Sequence, residues 1–474
     1  MPCVRLSIVG GGGFRVPLVY RALIADEHDR RVTDVALHDT DPTRLRAVCR
    51  VLEGLAAGRP GAPRISAGTD LTEALRGADF VFSAIRVGGL EGRVLDERAA
   101  LAQGVLGQET TGAGGVTYGL RTVPVAVRLA RTVREVSPQA WVINFTNPAG
   151  MVTQSMAAAD GGGLGDRVVG ICDSPVGLMR RVAHTLGIEP GRARFDYAGL
   201  NHLGWLRRVE VDGRDLLPDL LADESLASIE EGALFGTEWL RTLGAVPNEY
   251  LWYWYFTAEA VRAAQGPGPT RGEYLSEQQS RFYAAAAEAA PADALAAWER
   301  TRRDRELSYM SDGRAPGSAE AVAGSATGQG SYGRAEADLD GGGYDRMALE
   351  LMRAIAHDEA TTLVLNVPNN GTLPGLPDDA VVEVPCAVDA AGPRPLPLAP
   401  LEGHQLGLVQ SVKAVETTTI EAALTGSQRL ALLALATHPL VDSVTRARAI
   451  LDAQLAAVPA LRSLFSQGGL RKRH

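Results

Sequence analysis

The sequence predicts an α/β protein: an N-terminal Rossmann-like, doubly wound parallel sheet followed by an α+β catalytic and oligomerisation domain. Strand and helix patterns alternate with short connections in the first part of the chain, and a glycine-rich turn follows the first strand. The pattern changes near residue 195, so we divide the chain into residues 1–195 and 196–474. A length of 474 residues is sufficient for two domains with substantial cores.

Five strand patterns follow one another in the first domain. They read VRLSIV, VTDVALH, ADFVFSAI, AWVINF and RVVGIC, and helical patterns separate them. Strands joined in this way are parallel, and their carboxyl ends meet at one edge of the sheet, where ligands bind. We therefore expect one edge to gather the strand ends at Ile8–Gly10, Ala84–Arg86, Asn144–Asn147 and Cys172–Ser174.

The second domain begins with antiparallel patterns joined by a hairpin turn at Asp212–Gly213. Residues 217–312 are mostly helical in pattern, and residues 313–343 are rich in Gly, Ala and Ser, which predicts a loop or lid. Two strand patterns, TTLVLNV and AVVEVPC, and two closing helices complete the domain.

The composition limits the partners and the compartment. A net charge of −9 argues against nucleic acid, and no apolar run approaches the length of a membrane span. The four cysteines, Cys3, Cys49, Cys172 and Cys386, show no disulfide framework, and no signal-peptide pattern precedes the first strand. These features favour a reducing, cytoplasmic compartment.

The stretch IVGGGGFRVP predicts a dinucleotide-binding turn. The G-x-G-x-x-G pattern fits at Gly10 and Gly12, but Arg15 stands at its third position. Asp39 closes the second strand, 39 − 12 = 27 residues after Gly12, where an acid holds ribose hydroxyls and favours NAD over NADP. A glycine turn without a nucleotide is the alternative. The predicted cofactor-binding residues are Gly10, Gly12, Gly13, Phe14 and Asp39.

Cys172 in GICDSP and His202 in GLNHLGW allow three interpretations. The two residues could form a nucleophile with its base, a pair of metal ligands, or a buried thiol and a hydrogen-bonded imidazole without chemistry. They lie 202 − 172 = 30 positions apart, so their spacing favours none of these.

Seven stretches, taken in order, resemble the family 4 glycoside hydrolases, which depend on NAD and a divalent metal. The 6-phospho-β-glucosidase branch is the most similar, and the resemblance covers nearly the whole chain. The stretches are IVGGGGFRVP, AIRVGGLEGRVLDERAALAQGVLGQETTGAGG, NFTNPAGMVTQ, GICDSP, GLNHLGW, VPNEYLWYWY and LNVPNNGTLPGLPDDAVVEVPC.

The resemblance implies a mechanism in which NAD oxidises the sugar at C3, a base removes the C2 proton, and the aglycone leaves C1. Water then adds, and the hydride returns. It also implies that Cys172 and His202 bind Mn²⁺ or another divalent metal, and that Tyr250 is the base. Asn147 is implied as a substrate contact near the nicotinamide.

Charged residues supply the remaining predicted roles. Arg86 or Arg93 is expected to hold a sugar 6-phosphate, and Arg271 to neutralise negative charge on the substrate. Asp173 follows the metal cysteine, where this family carries Asn in β-glucosidases and Asp-Met-Pro in α-glucosidases; Cys-Asp-Ser-Pro matches neither. Asp173 is expected to be a general acid, a substrate contact or the N-cap of the next helix.

These observations predict a cytoplasmic 6-phospho-β-glucosidase that acts on small phosphorylated glycosides and forms a homodimer or homotetramer. A 6-phospho-α-glucosidase or an unphosphorylated glycosidase of the same family is the first alternative. An NAD-dependent sugar dehydrogenase, which would accumulate NADH, is the second.

Overall fold

The structure is a computed structural model that describes residues 4–158, 163–308 and 343–471. Within these ranges a single mixed sheet contains 13 strands. Almost all of the predicted loop at 313–343 lies outside the described residues. The strands are β1 (Val4–Val9), β2 (Val32–His38), β3 (Arg64–Gly68), β4 (Phe80–Ser83), β5 (Trp141–Asn144), β6 (Val168–Gly170), β7 (Arg194–Leu200), β8 (Leu203–Val211), β9 (Arg214–Asp215), β10 (Val246–Pro247), β11 (Thr361–Pro368), β12 (Val381–Asp389) and β13 (Gly392–Pro395).

The helices cover both faces of this sheet. They are α1 (Val16–Ile24), α2 (Pro42–Ala56), α3 (Leu71–Leu75), α4 (Gly89–Leu101), α5 (Ala113–Val136), α6 (Ala149–Ala158), α7 (Ser174–Thr185), α8 (Leu217–Ala222), α9 (Glu230–Phe235), α10 (Thr237–Leu243), α11 (Trp252–Tyr255), α12 (Thr257–Ala264), α13 (Arg271–Ala286), α14 (Pro291–Leu307), α15 (Tyr344–His357), α16 (Gly403–Thr425), α17 (Gln428–Thr437), α18 (Val444–Ala457) and α19 (Pro459–Arg471). None of those described is long and apolar enough to cross a lipid bilayer.

The first half of the sheet is parallel, with strand order β3-β2-β1-β4-β5-β6. Its central strands are buried on both faces: Leu6 and Ile8 point to one face of β1 and Ser7 to the other, and all three are fully buried. This confirms the predicted doubly wound sheet. The edge strand β3 was not predicted, since its sequence RISAG is short, has only Ile65 and Ala67 as apolar residues and is mostly exposed.

The antiparallel strands of the second half extend the same sheet. Asn366 of β11 pairs with Gly170 of β6, and Glu383 of β12 pairs with Gly199 of β7. The boundary proposed at 195/196 therefore falls inside β7, and one sheet crosses it. The predicted hairpin is present: Asp212 and Gly213 adopt φ values of 52° and 82° between β8 and β9.

The chain ends in four helices, α16 to α19, where the sequence predicted two. Gly426 in the left-handed conformation ends α16, and Ser427 then caps α17. The four helices pack against α4 and α5 around a separate apolar cluster that includes Leu120, Leu435 and Ile450.

The carboxyl ends of β1, β4, β5 and β6 meet as predicted. The loops that follow these strands line one cavity of about 1340 Å³, together with segments from the second half of the chain. The fold therefore brings the glycine turn and the Cys172 loop to the same cavity.

Candidate active site

The glycine turn after β1 is built for close approach of the backbone. Gly10 has a φ of 90°, and a Cβ atom on it would lie 2.5 Å from the carbonyl oxygen of Ala84. The N–H groups of Gly10 and Gly11 donate to the carbonyl of His38 at 2.9 and 2.7 Å. Only glycine fits at Gly10, which leaves a concave turn at the N-terminal side of α1.

Asp39 is fixed by the turn that it faces. Its Oδ2 accepts from Gly12 N at 2.9 Å, and its Oδ1 accepts from Asp41 N at 3.0 Å. Each carboxylate oxygen can accept a second hydrogen bond, so the group retains capacity for hydroxyl donors. A carboxylate held at the end of β2 beside this turn fits a ribose diol, and the nucleotide end therefore suits NAD.

Gly13 and Phe14 contribute to the turn through their main chain. Gly13 N donates to Gly10 O at 2.9 Å. The ring of Phe14 is buried against Phe282 and Trp298, with ring centroids 5.3 and 6.3 Å apart, so only its backbone is available to a dinucleotide.

Two helices from the second half of the chain support the turn from behind. The Tyr283 hydroxyl of α13 donates to Gly12 O at 2.7 Å, and Trp298 Nε1 of α14 donates to Phe14 O at 2.8 Å. Arg44 Nη2 donates to the Tyr283 hydroxyl at 3.0 Å. No sequence pattern indicates these long-range contacts, which hold the turn against α13 and α14.

Cys172 and His202 both line the cavity and are 5% and 7% exposed. Cys172 follows β6, and His202 occupies the turn between β7 and β8 with a φ of 62°. His202 Nδ1 lies 2.9 Å from Thr110 Oγ1, which leaves Nε2 as the nitrogen available to a metal. Within the described ranges, no set of three or more His, Cys, Asp and Glu side chains forms a complete metal site.

The electrostatics around this pair suit a cation. Burial lowers the pKa of His202 to about 4, so its imidazole is neutral near pH 7. Burial, followed by the carboxylates of Glu383 and Asp173, raises the pKa of the Cys172 thiol well above its usual value. A divalent cation would offset the effects of burial and of the two carboxylates on Cys172, because it would bind the thiolate and add positive charge. A neutral imidazole and a thiolate fit a transition metal that keeps positions open for substrate oxygens.

Tyr250 stacks on His202, with ring centroids 3.6 Å apart and planes inclined by 7°. Its N–H donates to Asn248 Oδ1 at 3.0 Å, which fixes the start of the short helical segment that carries it. The stacking places the predicted base directly beside a predicted metal ligand.

Asp173 stands at the N-cap position of α7, but its side chain makes no capping hydrogen bond. Its Oδ2 instead pairs with Arg15 Nη1 at 3.2 Å, and Arg15 Nη2 lies 3.6 Å from Glu306. The expected side-chain cap is therefore wrong. Arg15, which replaces the third glycine of the nucleotide turn, connects that turn to the loop of Cys172.

Arg86 and Arg93 share one carboxylate. Glu109 pairs with Arg86 Nη1 at 2.6 Å and with Arg93 Nη1 at 2.9 Å, and Arg93 Nε also pairs with Glu97 at 2.7 Å. Burial alone would raise the pKa of Glu109, but the two guanidinium groups outweigh it and lower that pKa. Arg93 lines the cavity with its charge already balanced by two acids, which makes it a weaker phosphate ligand than expected.

Arg271 and Arg305 form a second cationic group on the cavity wall. Arg271 donates to Ser308 Oγ at 2.7 Å and to the carbonyl of Arg305 at 2.9 Å. Burial, followed by the charge of Arg15, lowers the pKa of Arg305 to about 9, although Glu306 acts in the opposite direction. The positive charges of Arg15, Arg271 and Arg93 add to the effect of burial on Arg305, and a cluster of cations of this kind suits a bound anion.

Of the predicted site residues, all except Gly12 line the cavity. Asn147 does so at a cis peptide bond to Pro148. The residues that sequence reasoning missed are Thr110, Glu249 and Arg305. Thr110 belongs to the stretch GQETT, inside one of the seven recognised segments, so that motif was the available signal. Glu249 belongs to the recognised stretch VPNEYLWYWY, so the same kind of signal was available for it. Arg305 lies outside the recognised stretches, and only the fold brings it to the cavity.

A Rossmann-like sheet whose glycine turn shares a cavity with a cysteine, a histidine and a tyrosine defines a dinucleotide-dependent class of enzyme. The chain belongs to the family 4 glycosyl hydrolases and is therefore a glycoside hydrolase. The model of that family matches residues 5–188, and the model of its C-terminal domain matches residues 197–441.

Individual relatives are similar over almost their full length. A "Probable 6-phospho-beta-glucosidase" of Bacillus subtilis (strain 168) is 31% identical over 96% of this chain and 96% of its own. A 6-phospho-alpha-glucosidase of Leptotrichia buccalis is 28% identical over 94% of this chain and 96% of its own. The solved 6-phospho-beta glucosidase of Thermotoga maritima with manganese, NAD+ and glucose-6-phosphate is 26% identical, with a TM-score of 0.78 over 97% of this chain and 99% of that one.

Proposed function

We propose that this chain hydrolyses 6-phospho-β-glucosides with the help of NAD and Mn²⁺ or another divalent metal. The observation that carries the proposal is the single cavity that joins the glycine turn and Asp39 to Cys172, His202 and Tyr250. The relatives named above support the substrate class, since two of them are named as 6-phospho-β-glucosidases. The solved relative contains both cofactors.

The residues fit both groups. The turn at Gly10–Gly13 and the carboxylate of Asp39 would hold NAD, and Cys172 and His202 would hold the metal. Bound NAD would supply a hydride acceptor for oxidation of the sugar, and a bound metal would supply Lewis-acid stabilisation of negative charge on the sugar oxygens.

Tyr250 takes the proton from C2 in this proposal. A C2–H bond beside a ketone is weakly acidic, so its cleavage requires a base held within hydrogen-bond reach. The stack on His202 and the bond to Asn248 restrict Tyr250 to one position. Thr110 fixes the orientation of the His202 ring through Nδ1, which keeps Nε2 directed to ligand binding.

Arg271 and Arg305 are our proposed contacts for the sugar 6-phosphate, and Arg93 is a weaker additional contact. Arginine matches phosphate oxygens in bidentate geometry, and a phosphate would offset the positive charges of Arg15, Arg271 and Arg93 that act on Arg305 in addition to its burial. Asn147 remains our proposed contact for a substrate hydroxyl at the carboxyl end of β5.

We further propose a cytoplasmic location and an assembly of two or four copies. Cys172, Cys386 and Cys49 are free thiols in the described structure, and ligation by Cys172 requires a reduced side chain. Light scattering of the purified protein would measure the assembly.

A substrate panel tests the proposal. Purified protein is incubated with p-nitrophenyl 6-phospho-β-glucoside, Mn²⁺, a thiol reductant and NAD. The NAD concentration is kept far below the substrate concentration, so that NAD can act only catalytically. We expect nitrophenol release over many turnovers with no net NADH, because the hydride returns to the sugar. The matching α-anomer, the galacto epimer and the unphosphorylated glucoside serve as controls.

Each rival function gives a different result. NADH formed in proportion to substrate would establish a dehydrogenase, and release from the α-anomer alone would establish a 6-phospho-α-glucosidase. Equal rates on the phosphorylated and the unphosphorylated glucoside would show that the enzyme does not require the 6-phosphate. Chelation of the metal with EDTA should abolish release, and added Mn²⁺ should restore it.

A further inference from the structure

Glu249 is a buried carboxyl group on the wall of the cavity, immediately before Tyr250 in the chain. Its Oε1 accepts a hydrogen bond from Ser174 Oγ at 2.6 Å. Ser174 begins α7, two residues after Cys172. The carboxyl group of Glu249 is thus held between the segment that carries the base and the loop that carries a metal ligand.

The charged groups around Glu249 come from α7 and α9, and the Cys172 thiol before α7 also interacts with it electrostatically. Arg181 of α7 pairs with Glu230 at 3.4 Å and donates through Nε to Glu231 at 3.1 Å, and both acids begin α9. Ser174 and Arg181 face Glu249 from α7, Glu230 and Glu231 face it from α9, and Tyr250 adjoins it on its own segment. The two acids of α9 share one guanidinium group, so the surroundings of Glu249 are not strongly positive.

Burial, and then the charge of Glu230, raises the pKa of Glu249 to about 7. The hydrogen bond from Ser174 and the charge of Arg181 act in the opposite direction without cancelling this shift. A carboxyl group that exchanges its proton near pH 7 can serve first as an acid and then as a base. Asp173 differs, because its carboxylate is engaged in an ion pair with Arg15.

Departure of the aglycone creates a need for such a group. A nitrophenol is acidic enough to leave as its anion, whereas a sugar or alkyl alkoxide is a poor leaving group unless its oxygen is protonated as the bond breaks. We propose that Glu249 donates a proton to the glycosidic oxygen as the aglycone leaves, and that it accepts a proton from the water that later adds to C1. This inference rests on the function proposed above.

The proton and electron transfers balance. Tyr250 takes the proton from C2, the electron pair of that bond forms the C1–C2 double bond, and the C1–O bond breaks with its electrons on oxygen. That oxygen receives the proton of Glu249. In the second half, the water oxygen bonds to C1, one water proton passes to Glu249, and C2 regains the proton held by Tyr250.

Glu249→Gln tests the proposal, because glutamine retains an acceptor for Ser174 and cannot donate a proton of comparable acidity. Two substrates are compared: p-nitrophenyl 6-phospho-β-glucoside and a 6-phospho-β-glucosyl disaccharide. On the disaccharide we expect kcat to fall by about 100-fold, because the variant loses both the protonation of the leaving oxygen and the acceptance of the water proton. On the nitrophenyl glycoside only the second loss applies, and we expect kcat to fall by about tenfold or less. Equal losses on both substrates, or no loss on the disaccharide, would overturn the proposal.

Glu383→Gln is the matched control. Glu383 is also a buried carboxyl group whose pKa burial raises to about 7, but it does not line the cavity. It accepts hydrogen bonds from Asn201, Asn366 and Tyr197 instead. We expect this variant to retain the leaving-group dependence of the wild type. If kcat of Glu383→Gln instead fell selectively on the disaccharide, as we expect for Glu249→Gln, the loss would be a general effect of replacing a buried carboxyl group, and our proposal would be overturned.

The pH profile and an infrared titration give independent readouts. The kcat of the wild type on the disaccharide should fall as pH rises through about 7, where Glu249 loses its proton, and this limb should be absent in Glu249→Gln. In protein without substrate, a buried carboxyl band should disappear over the same pH range and be missing in Glu249→Gln. A band that is the same in Glu249→Gln as in the wild type would overturn the proposal. Nitrophenol release by the wild type tests the proposed function separately.

Discussion

The two ends of the cavity are held by different means. The nucleotide end is fixed by main-chain hydrogen bonds, in which Gly10 and Gly11 donate to His38 and Gly12 donates to Asp39. The chemical end consists of buried side chains whose pKa values are displaced, such as Cys172 and His202. The first arrangement determines where a cofactor binds, and the second determines which proton and metal chemistry can follow.

This difference leads to a kinetic expectation. Changes at the chemical end should lower kcat while NAD binding is preserved, because the turn at Gly10–Gly13 does not depend on those side chains. Changes at the nucleotide end should raise the KM for NAD and leave kcat at saturating NAD nearly intact.

Cys172→Ala should have the largest effect, since it removes one of the two proposed protein ligands of the metal. We expect kcat to fall by at least about 1000-fold, because charge on the C2 and C3 oxygens loses its stabilisation. The affinity for Mn²⁺, measured by electron paramagnetic resonance, should fall in parallel, and the Kd for NAD should stay within about twofold.

Cys386→Ala is the control for that variant. Cys386 is a fully buried cysteine of β12 that does not line the cavity, so its replacement tests loss of a buried thiol alone. Metal-dependent turnover that survives in Cys172→Ala would contradict the assignment of Cys172 as a ligand.

Tyr250→Phe should have the next largest effect. Loss of the hydroxyl removes the base while the ring can still stack on His202, so we expect the exchange of the C2 proton with solvent to slow by about 100-fold. Nuclear magnetic resonance in deuterated water measures this exchange. Tyr253→Phe, in the same segment, should retain it, and full exchange in Tyr250→Phe would assign the base to another group.

Asp39→Ala moves the test to the nucleotide end. The variant loses a charged acceptor for the ribose and the support of Gly12 N, so we expect the KM for NAD to rise by about tenfold or more at constant kcat. Asp41→Ala is the control, because Asp41 caps α2 through the N–H groups of Thr43 and Arg44. It should lower stability by about 1 kcal/mol with little change in the KM for NAD.

The sequence predicts the nucleotide end from determinants that are local in the chain. The glycines form one turn, and Asp39 follows at the end of the next strand. The chemical end is assembled from separate segments, and spacing alone left Cys172 and His202 undecided until the resemblance was considered. The stack of Tyr250 on His202, the contact of Thr110 and the position of Glu249 depend on tertiary packing, which no periodicity encodes.

The fold differs from the sequence prediction where local patterns are weak or where pairing is long-range. An exposed edge strand such as β3 buries few apolar side chains, so its sequence carries little signal for a strand. The separation of α16 from α17 depends on one glycine and one serine cap within a continuous helical pattern. The extension of the sheet across β7 depends on isolated residue pairs far apart in the chain, such as Glu383 with Gly199.

Arg15 connects the two ends of the cavity, and its variant should give the smallest effect. Its ion pair with Asp173 spans 3.2 Å, and both side chains are 24% exposed, so solvent screens the interaction. A pair of this kind contributes up to about 1 kcal/mol, and we expect Arg15→Ala to change kcat and the KM for NAD by no more than about fivefold each. A double-mutant cycle with Asp173→Asn isolates the coupling. Strictly additive effects on both constants would show that the two ends work independently, whereas a measurable coupling would show that Arg15 and Asp173 act on both constants through their ion pair.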